Sequence, residues 1–465
     1  MLGVLSLIFS IIILIFFSFK GISILILAPL LSMGLAYVTG DLPALYALTG
    51  PFMKVTSAYI GNYFPIFLGG AIFGKIMGDS GAAKSISHFI SEKLGKDRAI
   101  LAVVLATSLL TYGGVSLFVV VFAVYPLGVA LFQEADIPKR FMPAAIALGA
   151  FTFTMTALPG SPQYLNSMPT NYLHTNIYAA PILGTISGLI ILICGVLWLE
   201  MGSKKAKARG EGYGNYNDTI QDFDYNLMPN PFVSILPIVV IFIINWVVIN
   251  IFFKNESFIA KFQKYGGLNG NWPVTIALMA AIVLSLILFK KQIKSPLLLL
   301  EKGAESSLSP IFNTAVIVGF GGVVKATLAF ELIKEKVLAL NIPGLYKVAI
   351  STSLMAGVTG SSSGGTGIAL EALAKPFLEM GLNPEVIHRA MLIAAGGLDS
   401  LPHCGAVITL LAVCGITHKE GYKDIGVLTV LIPIISLLFI IILHNITGVV
   451  WFTPTYRSRS FLENI

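Results

Sequence analysis

Polar chemistry in this chain of 465 residues gathers in four short breaks within long apolar runs. They read Thr111-Tyr112-Gly113-Gly114, Leu158-Pro159-Gly160-Ser161-Pro162, Gly360-Ser361-Ser362-Ser363-Gly364-Gly365 and Leu398-Asp399-Ser400-Leu401-Pro402-His403. Where a helix restarts after such a break, its first N–H groups lack intrahelical partners and the positive end of its dipole faces outward. That arrangement holds a carboxylate without a buried arginine. Glycines admit close approach, and hydroxyl and amide side chains add donors. The candidate ligands for an anion are Gly113, Gly114 and Ser116 around the first break, and Ser161, Gln163 and Asn166 around the second. Ser361, Ser362, Ser363, Gly364, Gly365 and Thr366 follow at the third, with Ser400 and His403 at the fourth. The other reading of such Gly-Ser clusters is tight helix packing, which small residues favour in membranes.

Ionisable groups inside the runs are few: Glu371, Lys375, Asp399 and His403. Such groups are costly in a bilayer and are functional candidates by default. A histidine titrates near pH ~6.5 when unperturbed, so His403 and Asp399 are the candidates for coupling a proton. The alternative for His403 is a hydrogen-bonded structural histidine at a kink. Glu371 and Lys375 stand at i, i+4 and read as a local ion pair. Gly360-Ser361-Ser362-Ser363-Gly364 matches the letters of a nucleophile elbow, but that elbow needs a strand before it. The Gly-rich breaks also lack the ending of a phosphate-binding loop. Neither an enzyme nor an ATP-driven pump is expected.

The elements that position these breaks follow from composition. Hydrophobic residues make up 56% of the chain and charged residues 11%, against about 25% charged in soluble domains. That balance excludes a soluble domain, a disordered chain, a secreted disulfide scaffold and a nucleic-acid binder. Cys194, Cys404 and Cys414 lie in apolar stretches, so no disulfide framework follows. The six histidines show no metal-ligand spacing, and no metal or cofactor is expected. The apolar start lacks the basic region of a signal peptide and reads as a retained first helix. At about 20 apolar residues per crossing, the chain is an all-α polytopic membrane protein surrounded by lipid.

Continuous runs near 2–19, 22–39, 58–78, 177–199, 232–253, 273–289, 309–330 and 425–444 are expected to span. The interrupted runs read as a re-entrant hairpin over 99–133 and a broken helix over 141–170, then a hairpin over 347–380 and a broken helix over 387–414. Bare backbone at membrane depth survives only inside protein or beside a wet cavity, and broken segments in matching places of two halves point to a transporter site. The expected organisation is two inverted repeats, 1–200 and 231–446, each with about five crossings including an unwound helix, plus one hairpin. A cytoplasmic linker over 201–230 joins them, and 447–465 is a tail. With Lys204, Lys205, Lys207 and Arg209 inside, twelve basic residues of the first half fall on the cytoplasmic side and only Lys54 outside, as the positive-inside rule demands.

Four stretches resemble a known family: Leu110–Val119, Thr154–Gln163 with Pro169-Thr170, Gly360–Glu371 and Gly396–Thr409. They are similar to the gluconate:proton symporter (GntP-type) permeases, above all the branch for small hydroxy or keto acids such as 3-hydroxybutyrate. The resemblance covers essentially the whole chain. It implies the ion-transporter superfamily's architecture of inverted repeats, two hairpins and two unwound helices, with a scaffold, a mobile transport domain and, often, a homodimer. It also implies a first hairpin opening to the cytoplasm and a second opening outside. The function expected is import of a small organic anion by proton symport with alternating access, in the bacterial inner membrane. Na⁺ coupling through unwound carbonyls and Ser or Asn oxygens stays open. A passive anion channel is the rival, and it would need a continuous polar stripe.

Overall fold

The computed structural model describes residues 2–19, 22–115, 117–216, 228–263, 271–402 and 404–448, and every regular element among them is a helix. The first half holds α1 (Leu2–Phe19), α2 (Ile24–Thr39), α3 (Ala44–Ala47), α4 (Met53–Asp79), α5 (Ala82–Leu94), α6 (Ala99–Tyr112) and α7 (Leu117–Glu134). It ends with α8 (Met142–Ala150), α9 (Phe153–Thr156), α10 (Tyr164–Leu173) and α11 (Pro181–Ala208). The second half holds α12 (Pro231–Val247), α13 (Glu256–Gln263), α14 (Trp272–Leu288), α15 (Pro296–Lys325) and α16 (Leu328–Ala339). It closes with α17 (Gly344–Thr359), α18 (Ser362–Glu379), α19 (Pro384–Leu398), α20 (Gly405–Cys414), α21 (His418–Gly426) and α22 (Ile432–Thr447). Among the described residues, five continuous helices are long and apolar enough to cross a membrane: Ala44–Asp79, Pro181–Ala208, Pro231–Phe252, Pro296–Lys325 and His418–Thr447.

The same order occurs twice. Each half has two spans, a long span, a short polar-faced helix (α5 or α16), a hairpin (α6–α7 or α17–α18), a broken helix and a closing span. The two short helices went unread in the sequence because each sits between stronger apolar runs. Packing is reciprocal, as a two-fold relation between inverted repeats requires: α4 packs on α14 as α15 packs on α2, and α5 on α12 as α16 on α1. The hairpins exchange partners in the same way, with α10 beside α18 and α20 beside α7. At the centre α4 and α15 cross closely, because Gly319 and Gly322 of α15 leave room for Thr56 and Val55 of α4. Both hairpins pack on the first part of their own broken helix, and α11 pairs with α22.

α11 runs on to Ala208, and the chain after it folds back on the broken helix. Arg140, before α8, donates from Nε and Nη2 to the Glu211 carboxylate at 2.6 and 3.2 Å and from Nη1 to Asp424 at 3.1 Å. Trp198 Nε1 donates to the other Asp424 oxygen at 3.0 Å. Hydrogen bonding from Arg140 holds the Glu211 carboxyl below the usual range. A lowered carboxyl pKa gives stability that is present above its unfolded value and lost as pH falls through the folded one. The Glu211 side chain is 38% exposed, so solvent screening keeps the contribution under about 1 kcal/mol. Glu211→Gln should therefore melt slightly below the wild type at neutral pH. That gap should close as pH drops below about 4, as a pH series of melting curves would measure.

Candidate functional site

Of the two helix breaks, the first, at 158–162, results from Gly160 in the left-handed region (φ +86°) between two prolines that cannot continue a helix. Backbone freed there must find partners inside the protein. The hydroxyls of Thr152, Thr154 and Thr156 turn back to the carbonyls of Leu148, Gly149 and Thr152 at 2.6, 2.7 and 3.0 Å. Gln163 Nε2 donates to Thr111 O and Val115 O of the first hairpin tip at 2.7 and 3.3 Å. The Tyr112 hydroxyl donates to Pro159 O at 2.7 Å. Gly114 has φ +91°, and a Cβ there would lie 2.9 Å from Pro162, so this hairpin tip and this break are one unit. Ser161 is fully buried and reaches Tyr112 O at 3.4 Å. Ser116 lies outside the described residues.

Asn166 is equally committed. Its amide donates to Ser161 O and Ile177 O, both at 2.9 Å. Its oxygen faces two side chains that sequence reading passed over, His388 Nε2 and Arg389 Nη1, each at 3.3 Å. Since that oxygen can only accept, His388 carries its proton on Nε2, and its Nδ1 lies 2.7 Å from the Thr175 hydroxyl. Arg389 is fully buried. Its guanidinium donates to Thr156 O (3.1 Å), Ala179 O (2.9 Å) and Ile177 O (3.3 Å). No carboxylate lies within ion-pair distance of it among the described residues. The expectation of a site without a buried arginine thus needs correction. The signal was the pair His388-Arg389 directly after Val386-Ile387, inside what became a single buried helix.

The second hairpin closes at Gly360 (φ +58°), and Ser361 caps α18 by accepting from Gly364 N at 3.2 Å. Ser361 and Ser363 share a hydrogen bond of 3.1 Å, and Ser363 lies 3.4 Å from the Thr314 hydroxyl of α15. The Asp399 carboxylate accepts from Ser400 Oγ at 2.6 Å. Asp399 is 8% exposed and Ser400 1%. No lysine or arginine pairs with Asp399 among the described residues. Pro402 ends any helical continuation, and the carbonyls of Ser400 and Pro402 are met by the Tyr422 hydroxyl and the His418 ring, both at 3.1 Å. His403 lies outside the described residues.

The two units meet along α10 and α18. Tyr164 faces Ser363, Met168 packs on Gly367, and the Tyr172 hydroxyl donates to Glu371 at 3.2 Å. The same offset at three successive turns means that the helices run parallel, with their N-termini level. Two positive helix ends, one from each repeat, therefore open side by side. Beside them the hydroxyls of Ser167 and Thr366 are fully buried without a hydrogen-bond partner among the described residues. Glu371 is not paired with Lys375 as its spacing suggested. It meets Lys325 of α15 at 3.2 Å, while Lys375 turns to Glu379 at 3.8 Å. The local rule missed this pair because the partner stands on another helix.

Residues 2–446 match the family model described as GntP family permease. The uncharacterized transporter YxjC of Bacillus subtilis is 38% identical over 462 residues, covering 94% of this chain and 98% of its own. The high-affinity gluconate transporter of Escherichia coli is 25% identical, covering 83% of this chain and 86% of its own. Among solved structures, the crystal structure of the Alcanivorax borkumensis YdaH transporter, described as having an unusual topology, superposes with a TM-score of 0.60. It covers 87% of this chain and 88% of its own at 13% identity, a likeness of fold.

Proposed function

The chain belongs to the GntP family of permeases, and from that membership we propose that it imports a small hydroxy monocarboxylate, of the gluconate or 3-hydroxybutyrate kind, by proton symport with alternating access. It is a multi-pass integral membrane protein, and the bacterial inner membrane is the location this reading requires. The family resemblance supports a homodimer as the working unit, with the domain division at 201–230 separating the two repeats. One observation carries the proposal: the level N-termini of α10 and α18, with the partnerless Ser167 and Thr366 hydroxyls beside them. A carboxylate suits the paired helix ends. A substrate that also brings hydroxyl groups would meet buried donors and acceptors that are otherwise left unpaired.

Two further observations favour the proton over Na⁺ and the carrier over the pore. A Na⁺ ion at the first break would share carbonyl oxygens that already accept a hydrogen bond, which weakens them as ligands. Those of Thr111, Val115, Pro159, Ser161 and Ile177 already accept from Gln163, Tyr112 and Asn166. Asp399 offers the proton a buried carboxylate that accepts from the Ser400 hydroxyl and pairs with no lysine or arginine among the described residues. Among the described residues, eight of the nineteen from Thr152 to Thr170 are buried polar side chains, a density centred on the first break. Purified protein in Na⁺-free proteoliposomes should concentrate labelled gluconate or 3-hydroxybutyrate, saturably, under an inward proton gradient. A strict Na⁺ requirement would overturn proton coupling, and ohmic single-channel current would replace the carrier with a channel.

A further inference from the structure

We propose that Arg389 sets the sign of the field at the first break, so that the two breaks divide the work: the first attracts the substrate anion and the second takes the proton. This rests on the anion-transport reading above. A broken helix presents two opposed ends to the same cavity. The carbonyls ending α9 repel an anion, whereas the N–H groups beginning α10 attract it. Left uncovered, the first end would cancel much of the second. Arg389 lies on that end. Its guanidinium covers Thr156 O at 3.1 Å and Leu158 O at 3.5 Å, and Ile177 O and Ala179 O of the returning loop.

The charge reaches across from the other repeat, and carbonyls and one amide oxygen are its bonding partners. Glu385, one turn earlier on α19, holds the same loop, with Oε2 accepting from Ala180 N at 3.3 Å; its charge faces Arg389 without bonding it. The equivalent place in the second break has the opposite character. There the residue just past α19 is Asp399, and the carbonyls of Ser400 and Pro402 are met by Tyr422 and His418. Arg389 is thus a positioning residue that acts on the anion through the peptide dipoles it covers.

The test is substrate exchange in proteoliposomes, with gluconate or 3-hydroxybutyrate as the labelled probe. Arg389→Gln should raise KM at least about tenfold while the maximal rate stays within about threefold, and Arg389→Lys should recover most of the lost affinity. Asn166→Asp leaves the guanidinium in place but sets a carboxylate 3.3 Å from Nη1. It should raise KM likewise, and it decides the matter if the glutamine variant does not fold. An unchanged KM in the folded variants overturns the proposal, as does a lysine variant no better than the glutamine one, which would mark a purely structural clamp. Wild-type protein that exchanges neither acid overturns the transport reading and this assignment together.

Discussion

Asp399→Asn in proteoliposomes is expected to abolish accumulation driven by a proton gradient while substrate exchange at equal concentrations continues. With one proton per anion, a gradient of one pH unit can sustain about a tenfold concentration ratio. The variant should fall to a ratio near one. The reason is geometric: the buried carboxylate sits at the second break, where the Ser400 hydroxyl donates to it at 2.6 Å. An amide keeps the size and the hydrogen bonds but cannot lose or gain the proton. Exchange needs only the loaded carrier to reorient, so it should survive. Undiminished accumulation in the variant would remove Asp399 from the coupling step. His403→Gln, measured alongside, separates the two sequence candidates, since a variant that still accumulates has not lost the coupling group.

Gly365→Ala is expected to cause the largest loss of stability of any single methyl addition near the site. An added Cβ would overlap both Cα and N of Ala356, main chain of the facing hairpin arm. No side-chain rotation relieves a clash with backbone, so α17 and α18 must separate. The expected cost is on the order of 3 kcal/mol, the upper end of overpacking penalties. Gly70→Ala is the control, because nothing lies within 4 Å of its added Cβ. It should melt at or slightly above the wild-type temperature, since alanine favours helix over glycine. Equal melting of the two variants would refute the close approach of the hairpin arms.

These two residues show what the sequence could and could not reveal. Gly365 stood out as part of a polar, flexible cluster, and the hairpin around it was legible because glycine and serine interrupt an apolar run. Its role as the contact between two arms was not, since packing depends on what lies opposite. The same limit applies to Gln163 and Asn166. Both were read as donors for a ligand, yet both are engaged by carbonyls that only the folded break exposes. Arg389 escaped for another reason. Counting charges against membrane depth treats a basic residue near a helix start as interfacial, and it cannot see a neighbouring loop that folds over it. Composition and periodicity reveal which backbone is broken, but not which distant side chain repairs it.

That repair has a consequence for how the protein is made. Arg389 and the Asn166 oxygen it meets are 223 residues apart in the chain. At roughly 5–20 residues per second, the ribosome delivers the arginine some ten to forty-five seconds after the break has left it. Through that interval the carbonyls of Thr156 and Ala179 lack the guanidinium that meets them, in a segment bound for the bilayer. The first half must therefore wait, wet or sheltered by the insertion machinery, until the second half arrives to close it.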